Sequence, residues 1–303
     1  MTAAKGTAAG YQRPPGGGAI SAQARSSQIR QVIGRMLDSK KAVIGVTVIV
    51  LFAVLAICAD FVAPYGVETM TGDIFAPPGA KHWFGTDDLG RDLFSRVICG
   101  AKYSIVLGLG ATLIGAVSGV AIGSVSGYYG GPADEFIMRC IDVIQSIPGV
   151  LFNMALAVAF GGGFFNTMLA LGVAQIAGTA RLMRSSILNV RKMEYIDAAS
   201  SINCGDWRKI TRHIIPNAFS PILVRATMSV GTVIMSAAGL SFLGLGLPVD
   251  SPEWGALLSS GRDFIKKYPQ MMLFPGLFLL VFVLAVNMTG DSLRDALDPK
   301  LKR

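Results

Sequence analysis

Charge is scarce in this sequence. Asp, Glu, Lys and Arg together make up 15% of its 303 residues, whereas 52% are hydrophobic and the mean hydropathy is +0.53. A soluble globular domain is excluded by that balance. Histidine occurs only twice, at His82 and His213, so no zincin-type His-Glu-x-x-His pair exists. A Gly-x-Ser-x-Gly elbow is also missing, as is a pair of aspartates placed for catalysis within the apolar runs. The chain contains no Gly-Lys dipeptide, which removes a Walker A loop and with it the means to cradle ATP. The four cysteines, Cys58, Cys99, Cys140 and Cys204, follow neither CxxC nor zinc-ligand spacing, so they are read as thiols rather than as a disulfide framework or a metal site. No nucleic-acid module is visible, and the net charge of +8 needs none.

What is present is apolar length. Runs long enough to cross about 30 Å of hydrocarbon as helices fall near residues 42–62, 103–127, 141–160, 166–187, 218–244 and 271–290. The expected fold is therefore all-α, a polytopic membrane protein with six transmembrane helices and both termini on one side. Placing the N-terminus inside puts 19 Lys and Arg on inner segments against seven on outer ones, as cytoplasmic retention of positive loops requires. The net charge then serves orientation and attraction to lipid of the inner leaflet. The remaining Arg225 lies a few turns into the fifth span, as a snorkelling side chain or a substrate contact.

Residues 1–28 are rich in Ala, Gly, Pro and Gln and read as a disordered tail. Residues 29–41 carry Ile29, Val32, Ile33, Met36 and Leu37 at helical spacing among basic residues, which predicts an interfacial helix leading into the first span, 42–62. That leader is too long for a signal n-region, and Ile57 is too bulky for a lipoprotein cleavage site before Cys58, so the first span is expected to stay as an anchor. An outer segment, 63–102, contains an amphipathic helix with Leu89, Leu93, Val97 and Ala101 on one face and Asp92 and Arg96 paired at i,i+4. A five-helix core, 103–290, follows, and 291–303 form a cytoplasmic tail. In the core, Gly115, Gly119, Gly123 and Gly127 make a bare stripe for close helix packing, within the chain or across a dimer seam. Arg139 and Asp142 are expected to pair, Pro148 to kink the third span, and the run from Gly239 to Pro248 to end the fifth. Glu253 and Trp254 open an outer loop, either as contacts for another protein or as anchors of the loop.

A polar interruption at 188–217 separates two apolar stretches. Within it Ile196, Ala198, Ala199 and Ile202 place a small apolar stripe on a short helix. Asn203-Cys204-Gly205 stops that helix with two residues that tolerate left-handed backbone. Asp206 then stands as an N-cap, and Trp207, Ile210 and Ile214 begin a second helix with Arg208, Lys209 and Arg212 on its other face. Helix, turn and basic helix form a knob that another protein can grip.

This interruption resembles the EAA coupling loop of ABC-importer permeases: Asp197-Ala198-Ala199 stands for the acidic residue and two alanines, and Ile215-Pro216 for the aliphatic-Pro pair at the expected distance. The family's glycine falls on Asn203, a departure the left-handed tolerance of Asn accommodates. Gly85-Thr86-Asp87-x-x-Gly90-Arg91-Asp92-x-x-Ser95-Arg96 is similar to the more specific signature of the permeases of peptide and nickel importers. Ser251 to Gly255 and Gly290 to Leu301 extend that resemblance from about residue 30 to the end. The resemblance implies the type I importer permease fold and the second-type ("C") transmembrane subunit. It further implies a partner permease, two cytoplasmic ATPase subunits that bind ATP and Mg, an extracytoplasmic binding protein and a di- or oligopeptide substrate. In such a complex Asp197, Ala198, Ala199, Ile202, Asn203, Gly205, Asp206 and Pro216 would meet an ATPase. Nickel is the neighbouring alternative, disfavoured because the chain lacks the buried His and Cys ligands a metal would want in a translocation path, and a stand-alone channel or scaffold is the rival that would not need the loop.

Overall fold

The computed structural model describes residues 30 and 32–297, and among these the regular structure is helical, with two isolated antiparallel bridges, Met70 to Arg91 and Thr86 to Asp92. Residues 1–28 and the end of the chain from 298 lie outside the described residues. Residues 32–38 are helical, but they do not run into the first span: Ser39 breaks the helix with extended backbone (φ −86°, ψ 113°), and its Oγ accepts the Ala42 N–H at 3.4 Å as the cap of α1, Lys40–Ile57. A short α2, Ala59–Val62, follows.

The segment before the second span is built differently from the expected surface helix. Helix α3, Leu93–Tyr129, is one continuous element of 37 residues, so no boundary falls at 102. Leu93, Val97 and Ala101 are buried on it, while Leu89 precedes the helix and is 39% exposed. Helix α4, Gly131–Ser146, and α5, Gly149–Phe160, meet at a 97° bend. The third span, expected as one kinked helix, is thus broken. Pro148 disfavours helical backbone at the residue before it, and Ile147 and Pro148 are both extended (ψ 130° and 129°). Helix α6, Phe164–Val190, leads to the polar interruption, which holds α7, Glu194–Ser201, then α8, Asp206–Arg208, a π-turn at Lys209–Ile214 and α9, Ile215–Ala218. Helix α10, Ser220–Phe242, α11, Trp254–Gly261, and α12, Gln270–Leu297, complete the chain, so the last helix continues past the expected end at 290.

Four of these helices, α1, α3, α10 and α12, are long and apolar enough to cross a membrane, and the bent pair α4–α5 makes a fifth if its halves form one span. Helix α6 has 27 residues, ample length, but Gln175, Arg181 and Arg184 dilute its apolar character.

Helices α3 and α6 form the principal seam. A Cβ on Gly115 would come within 2.5 Å of the Gln175 Cβ, one on Gly119 within 2.6 Å of the Thr179 Cβ, one on Gly123 within 2.4 Å of the Ala180 carbonyl oxygen, and one on Gly127 within 3.0 Å of the Ile187 Cβ. The stripe is therefore an intramolecular contact in which backbone replaces side chain. On the other side of the bundle Trp254, fully buried, donates its indole N–H to the Val97 carbonyl at 3.0 Å and meets Phe52 and Phe282 edge-on. Helix α10 ends on Gly244 at φ +77°, with Leu245 N–H on the Leu240 carbonyl and Gly244 N–H on Ser241, a left-handed stop that needs glycine.

Candidate functional site

The knob at 194–218 is anchored by a few buried residues and presents most of the others. On α7, Ile196 and Ala199 are buried, while Asp197 and Ala198 are exposed. Ile196 joins Met183, Ile187 and Val190 of α6, Ile214, and Ile222 of α10 in one apolar cluster. Ile202 does not complete the buried stripe: it is 80% exposed, at the tip. The turn that follows satisfies two of the carbonyls left free at the helix end, with Asn203 N–H on Ser200 and Cys204 N–H on Ala199. Asn203 carries the left-handed backbone this closure needs, φ 55°. Gly205 does not, at φ −62°, and it is Gly205 rather than Asp206 that caps α8.

Asp206 ties the knob to the membrane helices instead. Its Oδ1 accepts the Tyr128 hydroxyl at 2.6 Å and lies 3.0 Å from Lys209 Nζ. The Tyr128 hydrogen bond, then the one from Lys209, hold its carboxyl below the usual range. Beside it Arg191 donates to the Gly127 carbonyl at 3.2 Å and stacks over the Tyr128 ring, 5.7 Å from its centroid. Sequence reasoning missed Tyr128 and Arg191, because they belong to elements distant in sequence from the turn. The expected second helix is a π-turn where Ile210 and Ile214 are buried and Trp207 is 79% exposed. The wider turn, with Ile215 N–H on Ile210, precedes Pro216, whose ring would clash with the carbonyl four residues back in a regular helix. Asp197, Ala198, Ile202, Trp207 and Arg208 thus form an exposed face held by three buried isoleucines, Ile196, Ile210 and Ile214, and one clamp.

The signature at Gly85–Arg96 folds into a buried ionic cluster, not an exposed helix. Asp87, Ser95 and Arg96 are fully buried, and Arg91 and Asp92 nearly so. Asp87 Oδ1 accepts the N–H groups of Leu89 (3.0 Å) and Arg91 (2.8 Å), and its Oδ2 receives Arg91 Nε (2.7 Å) and Arg96 Nη1 (2.5 Å). Asp92 does not pair with Arg96. It caps α3 through the Ser95 N–H and meets His82 Nδ1, each at 2.8 Å. Gly85 and Gly90 take left-handed backbone, φ 82° and 73°, and Thr86 Oγ1 accepts the Ala76 N–H at 2.7 Å.

Two other aspartates found partners across helices. Asp142 pairs with Arg181 rather than Arg139, and Arg139 lies 3.9 Å from Glu135. Asp134 takes Arg184 in a two-pronged bridge, 2.6 and 2.5 Å. Glu253 and Trp254 are fully buried. Glu253 caps α11 through the Ala256 N–H (3.0 Å) and accepts the Ser104 hydroxyl (3.2 Å), so both residues anchor the loop. Burial raises the Glu253 carboxyl pKa against the hydrogen bonds that oppose it. Among the described residues, no group of three His, Cys, Asp or Glu is placed to hold a metal ion.

Residues 119–303 match the model of the binding-protein-dependent transport system inner membrane component, and residues 27–78 that of the N-terminal TM domain of oligopeptide transport permease C. The chain belongs to this permease family. It is 39% identical to the dipeptide transport system permease protein DppC of Alkalihalophilus pseudofirmus, covering 90% of each chain. It is 39% identical to the glutathione transport system permease protein GsiD of Pectobacterium atrosepticum, over 90% of this chain and 91% of that one. GsiD of Escherichia coli is 42% identical over 84% of each. In fold, the chain is similar to the inward-facing MetNI methionine ABC transporter, with a TM-score of 0.56 at 15% identity over 68% of this chain and 98% of that chain. The protein is accordingly a multi-pass membrane permease subunit of an importer, and catalysis resides in a separate ATPase.

Proposed function

We propose that this permease subunit carries di- or oligopeptides across a bacterial or archaeal cell membrane. It would pair with a second permease, receive substrate from an extracytoplasmic binding protein and be driven by two cytoplasmic ATPase subunits that bind ATP and Mg. Six spans with both termini cytoplasmic suit this role, α6 and the bent α4–α5 pair completing the apolar four. Peptide rather than nickel is favoured by the dipeptide and glutathione relatives.

The observation that carries the reading is the knob. Its tip exposes Ile202 and Trp207, 80% and 79% accessible, beside Asp197, while its base is fastened to α6, α10 and Tyr128. An exposed apolar tip on a fixed base is what a rigid lever needs: closure of the ATPases moves it, and the base passes the motion to the spans as a shift between inward-open and outward-open packings. Transport leaves no covalent intermediate on the chain.

The test follows from the burial pattern. Ala199 is buried, so a bulky residue there disturbs the base; Asp197 and Ala198 are exposed and isolate the contact. Asp197→Arg with Ala198→Arg is expected to lose co-purifying ATPase subunits and substrate-stimulated ATP hydrolysis while the chain still inserts and folds. Retention of both at wild-type levels refutes the coupling role, and a chain that always purifies alone points to a channel or scaffold.

A further inference from the structure

An open cavity of about 680 Å³ lies between α6, α10 and α12. Its wall includes Gln175, Arg225, Ser229, Thr232 and Arg294 and, among the described residues, no Asp or Glu. Ser220 and Pro221, which also line it, follow directly on α9, so the cavity opens at the end of the bundle where the knob stands. Two guanidinium groups share it, and among the described residues neither is in an ion pair.

Arg225 does not snorkel. It is the sixth residue of α10, and a snorkelling side chain would run back toward the helix start and water. Its Nη2 instead faces Gly178, where a Cβ would stand only 2.3 Å away. Gly178 lies 12 residues before the end of α6, about 18 Å of helix. The guanidinium is thus directed into the bundle, and a glycine on the opposing helix leaves it room. Its Nε is buried without a partner. The neighbouring hydroxyls of Ser229 and Thr232 donate to the Arg225 and Ser229 carbonyls, at 2.7 and 2.9 Å, and among the described residues neither hydroxyl oxygen accepts from Nε. A cation in a membrane bundle is costly unless an anion shares its site, and a guanidinium's planar fork matches a carboxylate.

We propose that Arg225, assisted by Arg294, forms an anion site in which the free carboxylate of a transported peptide docks on the cytoplasmic half of the path. This rests on the permease reading and deepens it: the site attracts a peptide's acidic end after release from the binding protein.

Ser229 stands one turn above Arg225 on the same wall and can carry the reporter. The chain, with its four native cysteines changed to Ser, with Ser229→Cys and with the subunits that co-purify, is placed in phosphatidylcholine nanodiscs. Labelling rates are compared for 2-sulfonatoethyl and 2-trimethylammonioethyl methanethiosulfonate. The anionic reagent is expected to react faster, with Arg225→Gln lowering the anionic-to-cationic ratio about tenfold and Arg225→Lys largely keeping it. Millimolar dialanine is expected to slow labelling, and dialanine amide is not. Equal rates for the two reagents overturn the anion site; equal protection by dialanine and its amide overturns the carboxylate. Protection by added phosphatidylglycerol but not by dialanine reassigns the site to a lipid headgroup and overturns the peptide. The dialanine arms use native Arg225, so they decide the question even if Arg225→Gln fails to fold. Failure of the permease reading shows separately, as the absence of co-purifying ATPase.

Discussion

Replacing Asp87 with asparagine would remove the only carboxylate among the described residues that touches both Arg91 and Arg96, at 2.7 and 2.5 Å, without changing its shape. Asp87 and Arg96 are fully buried and the Arg91 side chain is 6% exposed, so solvent cannot take over the two positive charges. Removing one partner of a buried ion pair costs about 3–5 kcal/mol. The lower end applies here, because Asn keeps an acceptor and Asp250 Oδ1 stays 3.3 Å from Arg91. About 3 kcal/mol raises the local opening constant roughly 100-fold. Cys99, buried at 5% and one turn beyond Arg96, packs with Phe94 and Ile98 and reports that opening. In a chain whose other three cysteines are Ser, the labelling rate of Cys99 by a neutral maleimide should rise by about two orders of magnitude in Asp87→Asn. A rate within threefold of the parent would show that the cluster contributes little and that the reasoning about it is wrong.

Gly123→Leu places a Cβ 2.4 Å from the Ala180 carbonyl oxygen, a backbone atom that cannot swing aside, so it is expected to cost at least 1–3 kcal/mol, roughly, read as a lower midpoint of thermal unfolding in detergent. Asn203→Gly relieves left-handed strain of about 1 kcal/mol and is expected to slow amide exchange in α7, whereas Asn203→Val should speed it. The Glu253 carboxyl pKa is raised in the folded chain above its ordinary 4.5 by burial, so its contribution is fully present below that value and is lost as pH rises through the folded pKa. Glu253→Gln, permanently neutral, should therefore gain thermal stability relative to the parent as pH is raised from 4 to 8; a difference independent of pH would contradict this.

What local chemistry controls was legible in the sequence. Asn203 is left-handed because a helix ending in a closed turn needs that backbone, and the spacing of Ile196 and Ala199 placed the buried face of α7. Proline at 148 announced an interruption, though its severity depends on what surrounds Ile147. Charge pairing was read poorly, since i,i+3 and i,i+4 neighbours compete with partners on other helices. Asp142 turned to Arg181, and Asp92 turned to the Ser95 N–H and His82 while Arg96 took Asp87. The signal for that cap was present in Asp92 and Ser95, three residues apart as a cap and its N3 residue are. The burial of Glu253 was beyond reach, because the hydroxyl that donates to it, Ser104, is 149 residues away. The glycine stripe fixed close packing but not its partner, and α6 supplied it.

The central claim is that the tip of the knob sits in an ATPase subunit. Ile202, 80% exposed, accepts a cysteine without loss of packing, so Ile202→Cys in a chain lacking other cysteines can be treated with a short bifunctional maleimide in native membranes. The account predicts an adduct with the mass of this chain plus one ATPase subunit, and none from Lys266→Cys at the opposite end of the bundle. No adduct from Ile202→Cys in an intact complex, or equal adducts from both positions, would contradict it.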